Sequence, residues 1–410
     1  MVYLIIFLLL IVLTFVYDIK GSTKGKTTSY KVVLLLLVLL AGFRYRIGGD
    51  TMVYLYNYYH HYDSLEEITI DQLLSQSSSP LFELLIGFFK TIDARFYVFQ
   101  LFHATVVNSL IFIYIKRHTP YVFSCVLFYF VWMYIYYNFE EMKASLSLVM
   151  CLFANDYMLS KKWVKSILLY VVGILFHYSA AVILITPLLF AFKINRSGMV
   201  ILVACFLLGY VIQTSFMDYL FLLEFNEVVS SKASSYSALD VYFTQRLGLG
   251  GIVLQKLPWL FYALVAVRML KRDFRSEMDS LKKIEPLVLV SLVFVFISIP
   301  LPIAYRYVHF YILYLVLYLS YIIVDSIRES RRLSYSVRLF RALLLLLPYM
   351  YIVQFDWNGT IYESTAVNKY YNYEKYIPYS SIFDKSLNSD RERLYKNLNS
   401  ITVIPSRDEY

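Results

Sequence analysis

The chain has 410 residues, of which 59% are hydrophobic, 19% aromatic and only 16% charged. A soluble globular protein has about 45–50% apolar and about 25% charged residues, so this composition excludes an ordinary soluble domain and indicates a polytopic membrane protein. The net charge of +9 does not indicate a nucleic-acid partner, because the Lys and Arg residues punctuate apolar runs instead of forming a soluble basic face.

The first apolar run begins at Val2 with no basic region before it, and its lysines come afterwards. A secretory signal peptide has the opposite order, so we expect this run to be retained as a span with the N-terminus outside. The cysteines lie inside apolar runs, where they fit small buried side chains without disulfide or zinc spacing. They are Cys125, Cys151 and Cys205.

The apolar runs predict an all-α fold with about 10–12 transmembrane segments, because a bilayer core requires roughly 20 helical residues and accepts shorter spans among other helices. Residues 1–355 are predicted to form this transmembrane domain. Residues 356–410 are predicted to form a tyrosine-rich extracytoplasmic tail packed on the outer surface. Ordinary spans are predicted near 2–17, 31–43, 95–115, 121–137, 144–160, 198–214, 247–267, 286–303, 307–325 and 341–355.

The Lys and Arg clusters between the spans all fall on one side, the cytoplasmic one, if two segments do not cross in the ordinary way. The run 80–92 is about 13 residues long, which favours an interfacial or re-entrant helix. The run 164–192 has two halves of similar length and is predicted to enter and return as a short hairpin with its turn at 176–180. The outer loops are then 44–79 and 217–245, and we expect an outward-facing cavity.

Ionisable residues at the membrane edge are costly and are therefore functional candidates. The topology gathers many of them on the outer face. They are Arg44, Arg46, Asp50, Glu140, Glu141, Lys143, His177, Arg246, Arg306 and His309. Each arginine has the alternative of snorkelling to headgroups, and Asp50 has the alternative of pairing with a neighbouring arginine.

The residue types point to a phosphate ligand and a proton acceptor. An arginine presents a planar fork to phosphate oxygens, so an anionic headgroup or a lipid diphosphate is the expected guest. His177 lies at the turn of the short hairpin, where its imidazole can take a proton from a hydroxyl. Ser179 has no Ser-His-acid spacing and fits a backbone cap. We expect neither a metal nor another cofactor.

Three motifs in this order resemble the EpsG family, which belongs to the wider group of Wzy-type O-antigen and capsule polysaccharide polymerases. They are FRYRIGGDTMVY at 43–54, LFHYSA at 175–180 and YRY at 305–307. The likeness extends from about residue 30 to residue 325. Family members commonly have an Arg-Gln pair before the histidine hairpin, whereas this chain has Glu140, Glu141 and then Lys143, which can substitute only as a point charge.

The resemblance implies a glycosyltransferase-type polymerase that joins undecaprenyl-diphosphate-linked oligosaccharide repeat units on the outer face of the bacterial cytoplasmic membrane. His177 is then the expected base that activates the acceptor hydroxyl, with Asp50 and Glu140 as second choices. The expected substrate-binding residues are Arg44, Arg46, Tyr54, Lys143, Arg246, Arg306 and His309. Expected partners are the lipid-linked donor and acceptor, membrane lipids and a chain-length regulator, with no nucleic acid.

Two other classes use similar groups. A flippase for lipid-linked oligosaccharide also needs arginines for the diphosphate, but transporters often show repeated halves, which this sequence lacks. A membrane-bound O-acyltransferase acting on surface glycan also uses an embedded histidine. It would draw its acyl donor from the cytoplasm, whereas the charged residues here gather at the outer face.

Overall fold

The computed structural model describes residues 1–74, 79–92, 94–190, 196–220, 279–300 and 304–329, and parts of 334–351 and 372–395. Within these residues the chain forms helices joined by short turns, with no β-strand. The predicted all-α class is therefore confirmed for the described part of the chain.

The helices of the first half are α1 (Val2–Leu13), continued by a π-helical turn (Thr14–Ile19), α2 (Lys26–Gly42), α3 (Gly49–His60), α4 (Ile70–Leu74), α5 (Pro80–Thr91), α6 (Phe96–His118), α7 (Val122–Trp132), a second π-helical turn (Tyr136–Glu140) and α8 (Met142–Leu159). The later helices are α9 (Trp163–Phe176), a 3₁₀ helix (Tyr178–Ile185), α10 (Thr186–Leu189), α11 (Arg196–Leu220), α12 (Asp279–Ser298), α13 (Tyr305–Val308) and α14 (Ile312–Glu329).

Two described helices are long and apolar enough to cross a membrane. They are Val2–Ile19 and Phe96–His118, and they coincide with the predicted spans 2–17 and 95–115. Shorter apolar helices are Val122–Trp132, Trp163–Phe176, Tyr178–Leu189 and Val200–Ile212. These helices fit a membrane protein. The predicted span at 247–267 lies outside the described residues, and the total of about 10–12 spans stays a prediction.

Helix α5 has twelve residues. At a rise of 1.5 Å per residue it is about 18 Å long, which is less than the hydrocarbon thickness of a bilayer. The helix begins with Pro80, whose missing N–H and fixed φ suit the first helical position. This short helix fits the non-crossing segment predicted at 80–92.

The segment predicted to form a short hairpin is interrupted at the expected place. Helix α9 ends at Phe176, and His177 has an extended backbone (φ −159°, ψ 110°) before the 3₁₀ helix begins. Helices α8 and α9 approach closely at Gly173, where a Cβ would lie 2.7 Å from the Cys151 Sγ. A small residue is therefore needed at 173, as at many helix contacts in membranes. The entry and return of the hairpin stay a prediction.

A buried polar network fixes the second π-helical turn against α6 and α7. Asn108 of α6 donates from Nδ2 to the Asn138 Oδ1 at 2.7 Å, and Tyr129 of α7 donates to the Asn108 Oδ1 at 3.0 Å. A polar group without a partner in an apolar environment costs several kcal/mol, so these contacts hold the three segments in register. They place residues 136–140 at the end of the bundle where the functional candidates lie.

Candidate functional site

The segment 43–50, here named the loop 43–50, joins α2 to the first residues of α3 and contains two residues with positive φ. Arg46 has φ +51° and Gly48 has φ +101°. A Cβ at Gly48 would lie 2.8 Å from the Phe139 carbonyl oxygen. Gly48 therefore serves both the positive φ and the close approach of this loop to the second π-helical turn.

The Arg44 side chain is fully buried, with 0% of its surface exposed. Its guanidinium donates to the Ala41 carbonyl at the end of α2 and, at 2.9 Å, to the Thr51 hydroxyl of α3. The guanidinium also lies 4.6 Å from the centroid of the Phe139 ring. In this conformation Arg44 joins three segments of the protein and presents no exposed atom to a ligand.

The Arg46 guanidinium is also occupied by the protein. It forms a two-point ion pair with Glu392 of the C-terminal tail, with Nε–Oε1 at 2.9 Å and Nη2–Oε2 at 2.7 Å. Burial alone would lower the pKa of Arg46, but the hydrogen bond and charge of Glu392 outweigh burial and raise it. The arginine therefore stays charged and binds the tail.

Exchanging the charges of this pair should show its structural role. We expect Arg46→Glu or Glu392→Arg alone to lower the free energy of unfolding by about 2 kcal/mol, because each leaves a desolvated charge beside a like charge. The double variant Arg46→Glu/Glu392→Arg should recover part of that loss. Thermal unfolding of the purified protein in detergent measures this, and an equal loss in the double variant would contradict the assigned pairing.

Glu140 caps the start of α3 from a distant part of the chain. Its carboxylate accepts hydrogen bonds from the backbone N–H of Gly49 at 2.8 Å and of Asp50 at 2.7 Å. It also accepts a hydrogen bond from the Tyr376 hydroxyl at 2.6 Å. A carboxylate at a helix N-terminus compensates the unpaired N–H groups and the positive end of the helix dipole. Glu140 thus has three protein partners.

The described part of the C-terminal tail packs directly on the loop 43–50. The Tyr45 N–H donates to the Ser380 carbonyl at 2.9 Å, and the Gly48 N–H donates to the Lys375 carbonyl at 3.1 Å. The Tyr395 hydroxyl donates to the Gly48 carbonyl at 3.1 Å. Loop and tail therefore satisfy each other's backbone polar groups and form one structural unit.

Beside this unit lies a group of partly exposed polar side chains, here named the Glu141 cluster: Tyr54, Tyr136, Glu141, Lys143 and His309. The Tyr136 hydroxyl donates to the Glu141 Oε1 at 3.2 Å. The Tyr136 ring meets the His309 ring edge to face, with centroids 4.0 Å apart. The cluster therefore brings the second π-helical turn, the start of α8 and the turn after α13 to one place.

Tyr54 and Lys143 extend the cluster towards α3 and α5. Burial, followed by the carboxylates of Glu141 and Asp50, raises the pKa of Tyr54, which also has a hydrogen bond with the Lys143 backbone. The Lys143 Nζ lies 5.1 Å from the centroid of the Phe82 ring. The centroids of the Tyr54 and Phe82 rings are 5.6 Å apart. Tyr54 is therefore neutral at physiological pH and suited to donate a hydrogen bond.

His177 lies at the edge of this arrangement. Its half-buried ring stacks on the Phe310 ring, with centroids 6.4 Å apart and planes at 16°. Phe310 directly follows His309 of the Glu141 cluster in the sequence. The hairpin turn thus contacts the residue that follows His309 of the cluster.

The structure therefore separates the predicted site residues into two sets. Tyr54, Lys143 and His309 lie together in the Glu141 cluster, with His177 beside it and an exposed Asp50 at the start of α3. Arg44, Arg46 and Glu140 instead bind other parts of the protein. Arg306 belongs to α13, three residues before His309, and Arg246 lies outside the described residues.

Tyr136 was not among the residues predicted for the site, and Glu141 was predicted only as part of a charged outer turn. Tyr136 is one of 41 tyrosines, and an interfacial aromatic belt explains most of them. The sequence therefore gives no signal that separates Tyr136 from the other tyrosines. The usable signal was the position of Glu141 between Glu140 and Lys143, because three charges within four residues beside a span are costly.

The cluster contains the group types needed to handle a sugar and a phosphate: a carboxylate, an ammonium, one imidazole and two phenol hydroxyls, with the imidazole of His177 as a neighbour of Phe310. Such groups can accept a proton, donate a hydrogen bond and offset negative charge. Among the described residues, no three His, Cys, Asp or Glu side chains are placed to hold a metal ion.

Comparison with known proteins gave one result. A model of the EpsG family matches residues 27–381. The match includes all three sequence motifs and extends past residue 325 into the described part of the tail. No curated protein and no solved structure matched the chain.

Proposed function

The chain belongs to the EpsG family, and from this we propose that it polymerises lipid-linked oligosaccharide repeat units on the outer face of the bacterial cytoplasmic membrane. Family membership indicates a polysaccharide polymerase-like function, and the match over residues 27–381 is the observation that carries the proposal. The undecaprenyl-diphosphate carrier, the outer location and the residue roles below belong to the proposal.

In the proposed reaction, the hydroxyl oxygen of one lipid-linked unit forms a bond to the anomeric carbon of another. The bond between that carbon and the lipid diphosphate breaks, and the diphosphate leaves with the electron pair. The acceptor hydroxyl loses its proton to a base. A nearby cation lowers the barrier because negative charge develops on the departing diphosphate.

We assign the base to His177, since its ring is only half-buried and its neighbour Phe310 links it to the Glu141 cluster. Lys143 and Arg306 are assigned to the diphosphate, with Arg246 retained from the sequence. Tyr54 and His309 are assigned to hydrogen bonds with the sugar. Asp50 remains the second choice for the base.

Arg44 and Arg46 are proposed as positioning residues rather than direct ligands. Both guanidinium groups bind protein partners and are buried, with Arg44 at 0% and Arg46 at 3% exposure. Glu140 belongs with them, because its carboxylate accepts three hydrogen bonds. All three fix the loop 43–50 and the start of α3, which carries Asp50 and Tyr54.

The role of Lys143 can be tested by substitution. We expect Lys143→Ala to raise the KM for the lipid-linked unit about tenfold, because one ammonium-to-phosphate contact is lost. Lys143→Arg should keep most of the activity, since it keeps the charge. The control variant is Lys116→Ala. Lys116 lies in the last turn of α6 on the predicted inner side, so this substitution should leave KM and chain length unchanged. A loss caused by Lys116→Ala would contradict the topology.

Deletion of the gene tests the proposed class of function. A polymerase-deficient strain should export a surface glycan limited to one repeat unit. A strain lacking a flippase should instead export no such unit, and a strain lacking an O-acyltransferase should keep full-length chains without the acyl group. Either of these results would reject the proposed polymerase.

A further inference from the structure

A cavity of about 450 Å³ lies between α3, α4 and α5. This volume falls within the range of small-molecule sites, roughly 300–1,000 Å³. The residues that line it come from the segment 61–72, which includes the first residues of α4, and from the first turn of α5. They are His61, Tyr62, Asp63, Ile68, Thr69, Asp71, Gln72 and Glu83.

The lining has the chemistry of a site for hydroxyl groups. Three carboxylates, Asp63, Asp71 and Glu83, can accept hydrogen bonds from hydroxyls, while Tyr62 and Ile68 supply apolar surface for sugar C–H groups. Among the described residues, the eight that line the cavity include no Lys or Arg. Lys90 and Lys143 both contact Tyr62 at the edge of the cavity, but the three carboxylates of the lining outnumber them, so an anionic guest would meet net repulsion.

Part of this lining is held in place before any ligand binds. The Gln72 Nε2 donates to the Asp63 Oδ2 at 2.8 Å. The Gln72 Oε1 accepts hydrogen bonds from the Thr69 N–H at 2.7 Å and from the Thr69 hydroxyl at 3.0 Å. Polar groups fixed in this way lose little conformational entropy on binding.

The cavity shares a wall with the Glu141 cluster. Tyr62 lines the cavity, and the Lys143 Nζ lies 5.9 Å from the centroid of the same ring. The Phe82 ring lies 6.3 Å from the Tyr62 ring and 5.1 Å from the Lys143 Nζ. A ligand with a negative end and an uncharged end can therefore place the first near Lys143 and the second in the cavity.

We infer that this cavity binds an uncharged sugar of the oligosaccharide repeat unit. The inference rests on the proposed function for the origin of the sugar. The inference adds a class of substrate to the proposed function. The cavity would recognise a sugar by its hydroxyl groups, and that sugar would be neither a uronic acid nor phosphate-substituted. The cavity then selects the repeat unit, while the Glu141 cluster handles the diphosphate and the reacting hydroxyl.

The test uses binding, which does not require catalysis. Oligosaccharides of one to three repeat units, prepared by partial hydrolysis of the host surface polysaccharide and separated into neutral and acidic fractions, are titrated into the full-length protein in detergent. These probes contain no lipid and no diphosphate. We expect the neutral fraction to bind more tightly than the acidic one, as measured by calorimetry.

Two variants and a control locate the binding. Asp71→Asn should weaken binding of the neutral fraction about fivefold, because it replaces a charged hydrogen-bond acceptor by a weaker neutral one. Asp71→Lys should shift the preference towards the acidic fraction. Glu66→Gln removes an exposed carboxylate of the same segment that does not line the cavity, and it should leave both affinities unchanged.

Three results would overturn the inference: no binding of either fraction by the wild type, tighter binding of the acidic fraction, or equal affinities for the wild type and Asp71→Asn. A wild type that binds the neutral fraction but makes no polymer would reject the proposed function and leave the cavity assignment standing. Asp71 is exposed, so unfolding temperatures of both variants should match that of the wild type and exclude a folding defect.

Discussion

His177→Ala is expected to lower the rate of chain growth by about 10²–10⁴-fold, the usual contribution of a positioned general base. The imidazole lies at the break between α9 and the 3₁₀ helix, where it stacks on the Phe310 ring. Its removal takes away the proposed acceptor for the hydroxyl proton but leaves the ends of both helices unchanged. Polysaccharide length in a complemented deletion strain and turnover of the purified protein measure the effect.

Ser179→Ala is the matched control for this prediction. Ser179 is exposed in the 3₁₀ helix, two residues after His177, and it has no assigned role in the reaction. The control variant should make chains of normal length at a normal rate. Full activity of His177→Ala at normal protein level would contradict the assignment of His177 as the base, and Asp50 would then be the next residue to test as the base.

Glu140→Ala is expected to cause the largest loss of stability together with loss of polymer. The substitution leaves the N–H of the buried Gly49 and the hydroxyl of Tyr376 without their carboxylate partner. An unsatisfied buried polar group costs about 1–3 kcal/mol, and the helix-dipole contribution of the carboxylate adds about 0.3–1 kcal/mol. Thermal unfolding in detergent and surface polysaccharide length measure the two effects.

A graded series separates the cap from the tail contact. Tyr376→Phe removes only the hydroxyl that donates to Glu140, so its loss of stability should be smaller than that of Glu140→Ala. Glu140→Gln keeps the size of the side chain and one carbonyl oxygen, so it should fall between the two. A Glu140→Ala protein as stable as the wild type would contradict the capping role.

Short-range features were predictable from the sequence. The break at His177 follows from two apolar halves, each too short to cross the bilayer core, and Pro80 marks the start of the short helix α5. The all-α class follows from the apolar runs, and the three motifs were sufficient to indicate the family that the later comparison confirmed. Each of these inferences depends on residues close together in the chain.

The roles of the motif arginines were not predictable, because they depend on distant partners. Arg46 pairs with Glu392, 346 positions away, and Glu140 accepts a hydrogen bond from Tyr376, 236 positions away. A sequence pattern shows that a charge beside a span is costly but not which group compensates it. In this structure the predicted phosphate ligands Arg44 and Arg46 bind protein partners, and for this reason we propose a positioning role for them.

The packing of the tail also explains why the loop 43–50 carries such a dense pattern of polar residues and glycines. The missing side chain of Gly48 permits close approach to the Phe139 carbonyl. The Gly48 carbonyl accepts a hydrogen bond from the Tyr395 hydroxyl. The conformation therefore depends on two other chain segments at once. The loop fixes the start of α3, and through it the side chains of Asp50 and Tyr54.

The proposed polymerase activity is tested most directly with the purified full-length protein in detergent and with lipid-diphosphate-linked repeat units as donor and acceptor. We expect growth of the sugar chain with release of one lipid diphosphate for each bond formed, without a sealed membrane. Because detergent solution has no two sides, a transporter gives no product in this assay. Repeat units that remain single in the presence of folded, monodisperse protein would contradict the proposed polymerase activity.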